Sequence, residues 1–195
     1  MKTLPALLLP FCLGACSLLK PIADDPVRHL LEASVSARTP TAGSPSVAIA
    51  RPSLPPYLER VELVTRTGDG RLEVHEKNLW SEPLDAAMAR VVADNLRRLT
   101  GSTNIQPSTN FITRDYSALV EIRIERFDPL PDGTLLLECT WKVQPIPGGD
   151  ASPKSFRTTV PVQTPVEGGP NKMATRITAM NEALARLSRA ISVRL

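Results

Sequence analysis

The chain has 195 residues, with 23 Lys and Arg against 20 Asp and Glu and a formal net charge of +3. That near balance, with no basic run, excludes the electrostatic footprint expected for nucleic-acid binding or for an anionic membrane surface. Of the three cysteines, Cys12, Cys16 and Cys139, the first two lie in or at the end of an apolar leader, so no intramolecular disulfide is expected in the folded domain.

The apolar run from Leu4 to Leu13 covers only about 15 Å if helical, half of a bilayer core. With Lys2 before it and Gly14 and Ala15 after it, residues 1–15 read as a secretory signal peptide that is removed from the mature chain. Its ending, Leu13-Gly14-Ala15-Cys16, looks like the bacterial lipobox, in which the cysteine sulfur carries diacylglycerol and becomes the first mature residue. Cys16 is therefore the expected lipidation site, bearing diacylglycerol and an N-linked acyl chain such as palmitate. An ordinary signal peptide with an incidental cysteine is the alternative. Residues 16–45 are expected to hold the lipidated N-terminus, a first strand near 28–33 and a Pro-rich loop, and 46–195 the main domain, to which the first strand belongs.

Along that domain, Val47–Ala50 and Val61–Arg66 have strand character, and Thr67-Gly68-Asp69-Gly70 turns the chain into a strand over Leu72–His75. The spacing of Leu84, Met88, Val91, Val92, Leu96 and Leu99 predicts a helix from about Pro83 to Thr100, closed by Gly101, with Ser81 or Glu82 as its cap. Val120, Ile122 and Ile124 alternate with charged residues, as in a strand with one buried face. Pro131-Asp132-Gly133 turns it into Leu135–Gln144, and Ser155–Val162 completes a meander whose Pro161 suits an edge. A second helix is expected from near Pro170 to the C-terminus. Its residues Met173, Ile177, Met180, Leu184, Leu187 and Ile191 form one stripe, suited to a core and also to a coiled-coil seam. The order indicates α+β, a largely antiparallel sheet with both helices on one face.

Chemistry is hard to place on this pattern. The two histidines, His29 and His75, sit apart among apolar residues and match no metal-ligand spacing. The glycine pairs read as turns rather than phosphate cradles, and Cys139 falls on an apolar strand face, a core residue with a reactive thiol as the alternative. No catalytic residue, cofactor or metal is expected.

One block carries a resemblance. Over Leu54–Gly101 the residues Pro56, Tyr57, Leu58, Glu59, Arg60, Thr65, Arg66, Gly68, Trp80, Pro83 and Leu84 resemble the pattern of the ABC-type transport auxiliary lipoproteins, the PqiC/YmbA-like family of membrane integrity-associated transporter subunits. The first strand departs from the family's Tyr-Tyr-x-Leu start, having Val27-Arg28-His29-Leu30-Leu31. The resemblance implies a lipoprotein held on the periplasmic face of the outer membrane. It further implies a homo-oligomer that works with an MCE-domain tunnel protein of the PqiB type in intermembrane lipid transport. A free-standing periplasmic lipid carrier is a competing reading, and an envelope hydrolase a third that lacks an acid and a base. Partner-contact residues remain unknown at this point, since Trp80, Tyr57-Leu58 and Thr65-Arg66 equally suit packing roles.

Overall fold

Alternation in the sequence becomes the longest hairpin of the protein. The computed structural model describes residues 25–39, 45–108, 116–149, 151–165, 169 and 171–195; Cys16 and the leader lie outside them. In Ala118–Pro129 (β6) Val120, Ile122 and Ile124 are buried, and the strand pairs antiparallel with Thr134–Pro145 (β7), placing Ile122 opposite Trp141 and Ile124 opposite Cys139. The register shifts between Ile124 and Arg126. This bulge at Glu125 makes Phe127 continue the buried row and turns Asp128 to the other face. Lys154–Pro161 (β8) pairs antiparallel with β7 and forms the sheet edge, where Pro161 sits as expected.

The other strands are shorter. Val27–His29 (β1), Val47–Ile49 (β2), Glu62–Arg66 (β3), Leu72–Trp80 (β4) and Ile105–Pro107 (β5) complete two sheets, ordered β1-β4-β3 and β5-β2-β6-β7-β8. The fold is α+β, and its long pairings, β3 with β4, β6 with β7 and β7 with β8, are antiparallel. Parallel pairing is confined to three-residue strands: β1 with β4, and β2 with both β5 and β6. The strand over 72–75 runs on to Trp80, and the expected first strand stops at His29.

Leu84–Thr100 (α1) and Lys172–Ser192 (α2) lie side by side on the five-stranded sheet, α1 over β5 and β2, α2 over β7 and β8. Their stripes are core: Met88, Val91, Val92 and Leu96 on one, Leu184, Leu187 and Ile191 on the other, are buried. Gly101 ends α1 with φ 70°, its N–H donating to the Arg97 carbonyl, the left-handed closure that glycine permits. The start differs from the expectation. Pro83 itself is the N-cap and no side chain caps α1; Ser81 and Glu82 fall before the cap position, with the Ser81 N–H donating to the His29 carbonyl at 2.9 Å and Glu82 paired with Arg90. In α2 the Asn171 side chain accepts from the Ala174 N–H at 2.9 Å, an ordinary side-chain cap.

Residues 30–38 form an extended strap across both helices. Leu31 and Val35 are buried, and the strap's backbone is held by side chains. Asn181 Oδ1 accepts from the Glu32 N–H at 3.0 Å, Arg90 donates to the Leu31 carbonyl at 2.9 Å, and Arg98 donates to the carbonyls of Ala33 and Val35 at 3.0 and 3.1 Å. Among the described residues, no helix is long and apolar enough to cross a membrane.

Candidate functional site

Three separate stretches meet at one end of the three-stranded sheet: Arg28 of β1, the segment 52–61, and the link from Trp80 to Asp85 that leads into α1. Local bonds hold them there. The Trp80 N–H donates to the Val61 carbonyl at 2.7 Å, and Ser53 exchanges backbone bonds with Ile122 and Ile124 of β6 at 3.1 and 2.9 Å. Pro55 fixes the entry to the single 3-10 turn Pro56–Leu58, whose Leu58 N–H donates back to the Pro55 carbonyl at 2.9 Å. Between these stretches lies an open cleft of about 470 Å³, with Leu54, Leu58, Trp80 and Leu84 as its apolar lining. Val61 in its wall is 62% exposed, and Val27 and Leu30, either side of the strand residues that flank it, are also exposed.

The charged rim is mostly neutralised from within. Arg51 pairs with Asp85 at 3.3 Å, Arg60 with Glu62 at 3.0 Å, and Glu82 with Arg90. Those pairs are solvent-facing and contribute little stability. Their effect is to leave Arg28 and Glu59 as the rim charges with no ion pair among the described residues.

Behind the cleft is a buried polar cluster. Asp128, 0% exposed, accepts on Oδ2 from Arg66 Nε at 3.4 Å and from Arg126 Nε at 3.2 Å. The Arg66 guanidinium lies over the Tyr57 ring, 5.2 Å from its centroid, close enough for a cation–π attraction. Burial, and then the Asp128 carboxylate, push the Tyr57 phenol up to about 12 against the opposing pull of Arg66. The Tyr57 hydroxyl and Asp128 Oδ1 are both buried without an aligned hydrogen bond. The cluster ties the 3-10 turn and β3 of the small sheet to β6 of the large one.

The residues singled out in the sequence fall into place around these two features. Leu58, Glu59, Arg60, Trp80, Pro83 and Leu84 line the cleft, and Tyr57 and Arg66 belong to the cluster. Thr65 instead bonds His75 at 3.1 Å and Glu73 at 3.3 Å. Gly68 lies in the hairpin turn, its missing side chain facing Pro131 at 3.7 Å. The histidines are not brought together. His29 bonds Asn78 at 2.9 Å, whereas His75 meets Thr65 and, at 3.3 Å, Arg176. Burial, with Arg176 and Lys172 nearby and against the pull of Glu73, holds the His75 imidazole below its ordinary range. Cys139 is buried in β7 and its thiol is pushed up to about 12 by burial and by Glu125 and Glu138, so it is not a thiolate nucleophile at neutral pH. Among the described residues no group of three or more potential metal ligands occurs. Sequence reasoning missed Asp128 and Arg126; the one available signal was an acid inside the apolar run Phe127-Asp128-Pro129-Leu130.

The chain is an α+β body in which three segments meet at an open cleft, with the Asp128 cluster behind it. A family model described as the ABC-type transport auxiliary lipoprotein component matches residues 29–192, and the chain belongs to that family. Solved structures share the fold. A protein whose structure is described as that of an uncharacterized protein aligns at a TM-score of 0.68 and 15% identity, over 88% of this chain and 99% of that one. A Xanthomonas campestris protein of the DUF330 family aligns at 0.63 and 16% identity, over 85% and 92%. Among curated proteins none matches the chain.

Proposed function

We propose that the mature chain is a noncatalytic accessory subunit of an MCE-type intermembrane lipid-transport system, held by acylated Cys16 on the periplasmic face of the outer membrane. The observation that carries this reading is the family match over nearly the whole domain. The Leu13–Cys16 motif supports the anchor, and Ser17 in place of an aspartate supports sorting to the outer membrane. Acylation accounts for the attachment: one acyl chain gives only marginal membrane binding, and two or more give durable attachment. The resemblance also supports a homo-oligomer.

The test is extraction of the membrane-bound chain in mild detergent together with a PqiB-like MCE-domain tunnel protein. Stoichiometric co-purification is expected, and a complete failure to retain that partner would overturn the accessory role. Cys16→Ala is expected to release the domain into the soluble periplasmic fraction or to block processing; unchanged membrane retention refutes the anchor. The apolar cleft favours a second reading, a free-standing lipid carrier. Mass spectrometry decides it: a carrier retains lipid stoichiometrically without the partner, and an accessory subunit does not.

A further inference from the structure

We infer that the cleft is a docking site for the chain's own N-terminal tether, with Leu18, Leu19 and Ile22 seated against Leu54 and Val61. Three observations on different footings point to that occupant. The first is the cleft itself: apolar and charged residues line it together, and Val61 at its wall is 62% exposed beside partly buried Leu54, so water faces apolar surface there that burial would stabilise.

The second is where the tether enters. The described chain starts at Asp25, and Arg28, three residues on, already forms part of the cleft wall. Ile22 lies six residues before Arg28, a maximal reach of about 20 Å, and Leu18 lies ten before it, about 35 Å. A partner segment has to be captured from solution, whereas this one is held at an effective concentration in the millimolar range by the short linkage.

The third is charge. Arg28 and Glu59 are the rim charges left without an ion pair among the described residues, the remainder being satisfied by Arg51–Asp85, Arg60–Glu62 and Arg90–Glu82. The tether Ser17-Leu18-Leu19-Lys20-Pro21-Ile22-Ala23-Asp24 sets one cation among its apolar residues and an acid at its base. Lys20 complements Glu59 and Asp24 complements Arg28, with the apolar residues between them over the apolar lining.

Docking fixes orientation. With residues 18–22 committed to the cleft, only Ser17 separates the acylated cysteine from the body, so the cleft end of the domain is turned toward the membrane. That consequence rests on acylation of Cys16 as read above; the docking does not.

The experiment uses the full-length chain extracted in detergent and carrying Leu19→Cys together with Val61→Cys. Val61 is exposed, so its replacement leaves the core intact, and buried Cys139 stays unreactive. Under mild oxidation the expected product is a disulfide within one chain, formed at least tenfold faster than with Arg157→Cys, an exposed residue of the edge strand β8 used in place of Val61→Cys as the control. Adding Leu18→Ser and Ile22→Ser is expected to slow it at least tenfold. A disulfide that forms only between two chains assigns the cleft to a second copy, and a rate equal to the control leaves it without the tether; either overturns the proposal. Hydrogen exchange gives a second reading without cysteines. Amides of 58–61 and 81–85 are expected to exchange about tenfold faster in a Leu18→Ser, Leu19→Ser, Ile22→Ser chain than in the parent. Unchanged exchange, or protection that arises only when an MCE-domain protein or lipid is added, refutes docking. Intact mass reports acylation of Cys16, and peptide mapping of the disulfide tells a free Cys16 thiol from that of Leu19→Cys, so the docking and the anchor fail independently.

Discussion

Replacing Arg66 isolates what the buried cluster does. Its side chain is 30% exposed, yet its Nε reaches a carboxylate with no exposure at all, at 3.4 Å, and its guanidinium covers the Tyr57 ring at 5.2 Å. Removing one partner of a fully buried ion pair costs about 3–5 kcal/mol. Here Arg126 still donates to the same oxygen at 3.2 Å, so the loss reduces to one charge-assisted hydrogen bond, about 1.5–3 kcal/mol, plus about 0.5–1 kcal/mol of cation–π attraction. Discounting both for the partial exposure of Arg66 leaves about 2–3 kcal/mol for Arg66→Ala. At about 2–4 °C per kcal/mol for a domain of this size, that is a fall in Tm of about 5–10 °C. Arg66→Lys keeps the charge but loses the planar group that serves both partners at once, and is expected to cost about 1 kcal/mol. Urea unfolding of the Cys16→Ala chain followed by circular dichroism measures both, and a Tyr57→Leu, Arg66→Ala double-mutant cycle measures the coupling. An Arg66→Ala variant within 0.5 kcal/mol of the parent, on the scale of an ordinary surface change, would show that the cluster does not hold the sheets together.

Three further outcomes follow from the core. Between about pH 9 and 12 the unfolded chain gives up the Cys139 proton while the native chain retains it; stability therefore falls with rising pH by about 1.4 kcal/mol per unit, about 4 kcal/mol in all. Tyr57 acts in the same direction between 10 and 12, so urea midpoints against pH for the parent and for Cys139→Ala separate the two, and identical slopes refute the thiol's part. Leu184→Ala, at a position with no exposure in α2, is expected to cost about 2–5 kcal/mol in the same assay; a loss under 1 kcal/mol would place the α2 stripe outside the core. Gly101→Ala, forced to φ 70°, is expected to cost about 1 kcal/mol without changing helix content by circular dichroism.

What could be read from the chain tracks the length over which a period is sustained. The α2 stripe runs through several turns and the β6–β7 alternation through most of two 12-residue strands, so both are legible in the sequence alone. Ile105–Pro107 is three residues long, too short to show a period of two; Val47–Ile49 was legible as a strand, but its parallel pairing depends on partners distant in the chain. The strap over 30–38 has no repeating backbone pattern to read, since its bonds go to Asn181, Arg90 and Arg98 far along the chain. Asp128 was hidden differently: an aspartate beside Pro129 and ahead of Pro131-Asp132-Gly133 has the look of turn chemistry. Only the bulge at Glu125 and the arrival of Arg66 make it a buried counter-ion. The cleft was half visible, because the residues that carry the family resemblance turned out to line it, but Arg28 joins it only through the pairing of β1 with β4.

This division decides which residues can report on function without reporting on folding. Leu58, Trp80 and Leu84 line the cleft, but they are also buried members of the core cluster. Truncating any of them opens a cavity whose cost falls on the whole domain, so loss of partner binding in a Trp80→Ala chain would be uninterpretable. Tyr57 and Arg66 act one step further back, on the relative placement of the two sheets. Arg28, Glu59 and Val61 are different: they face solvent, and the two charges make no ion pair among the described residues. Replacing them is expected to move stability by no more than about 0.5 kcal/mol. A change in membrane orientation or partner retention caused by Val61→Asp or by charge reversal at Arg28 and Glu59 therefore speaks for the cleft surface itself, and these are the positions at which its function can be separated from its fold.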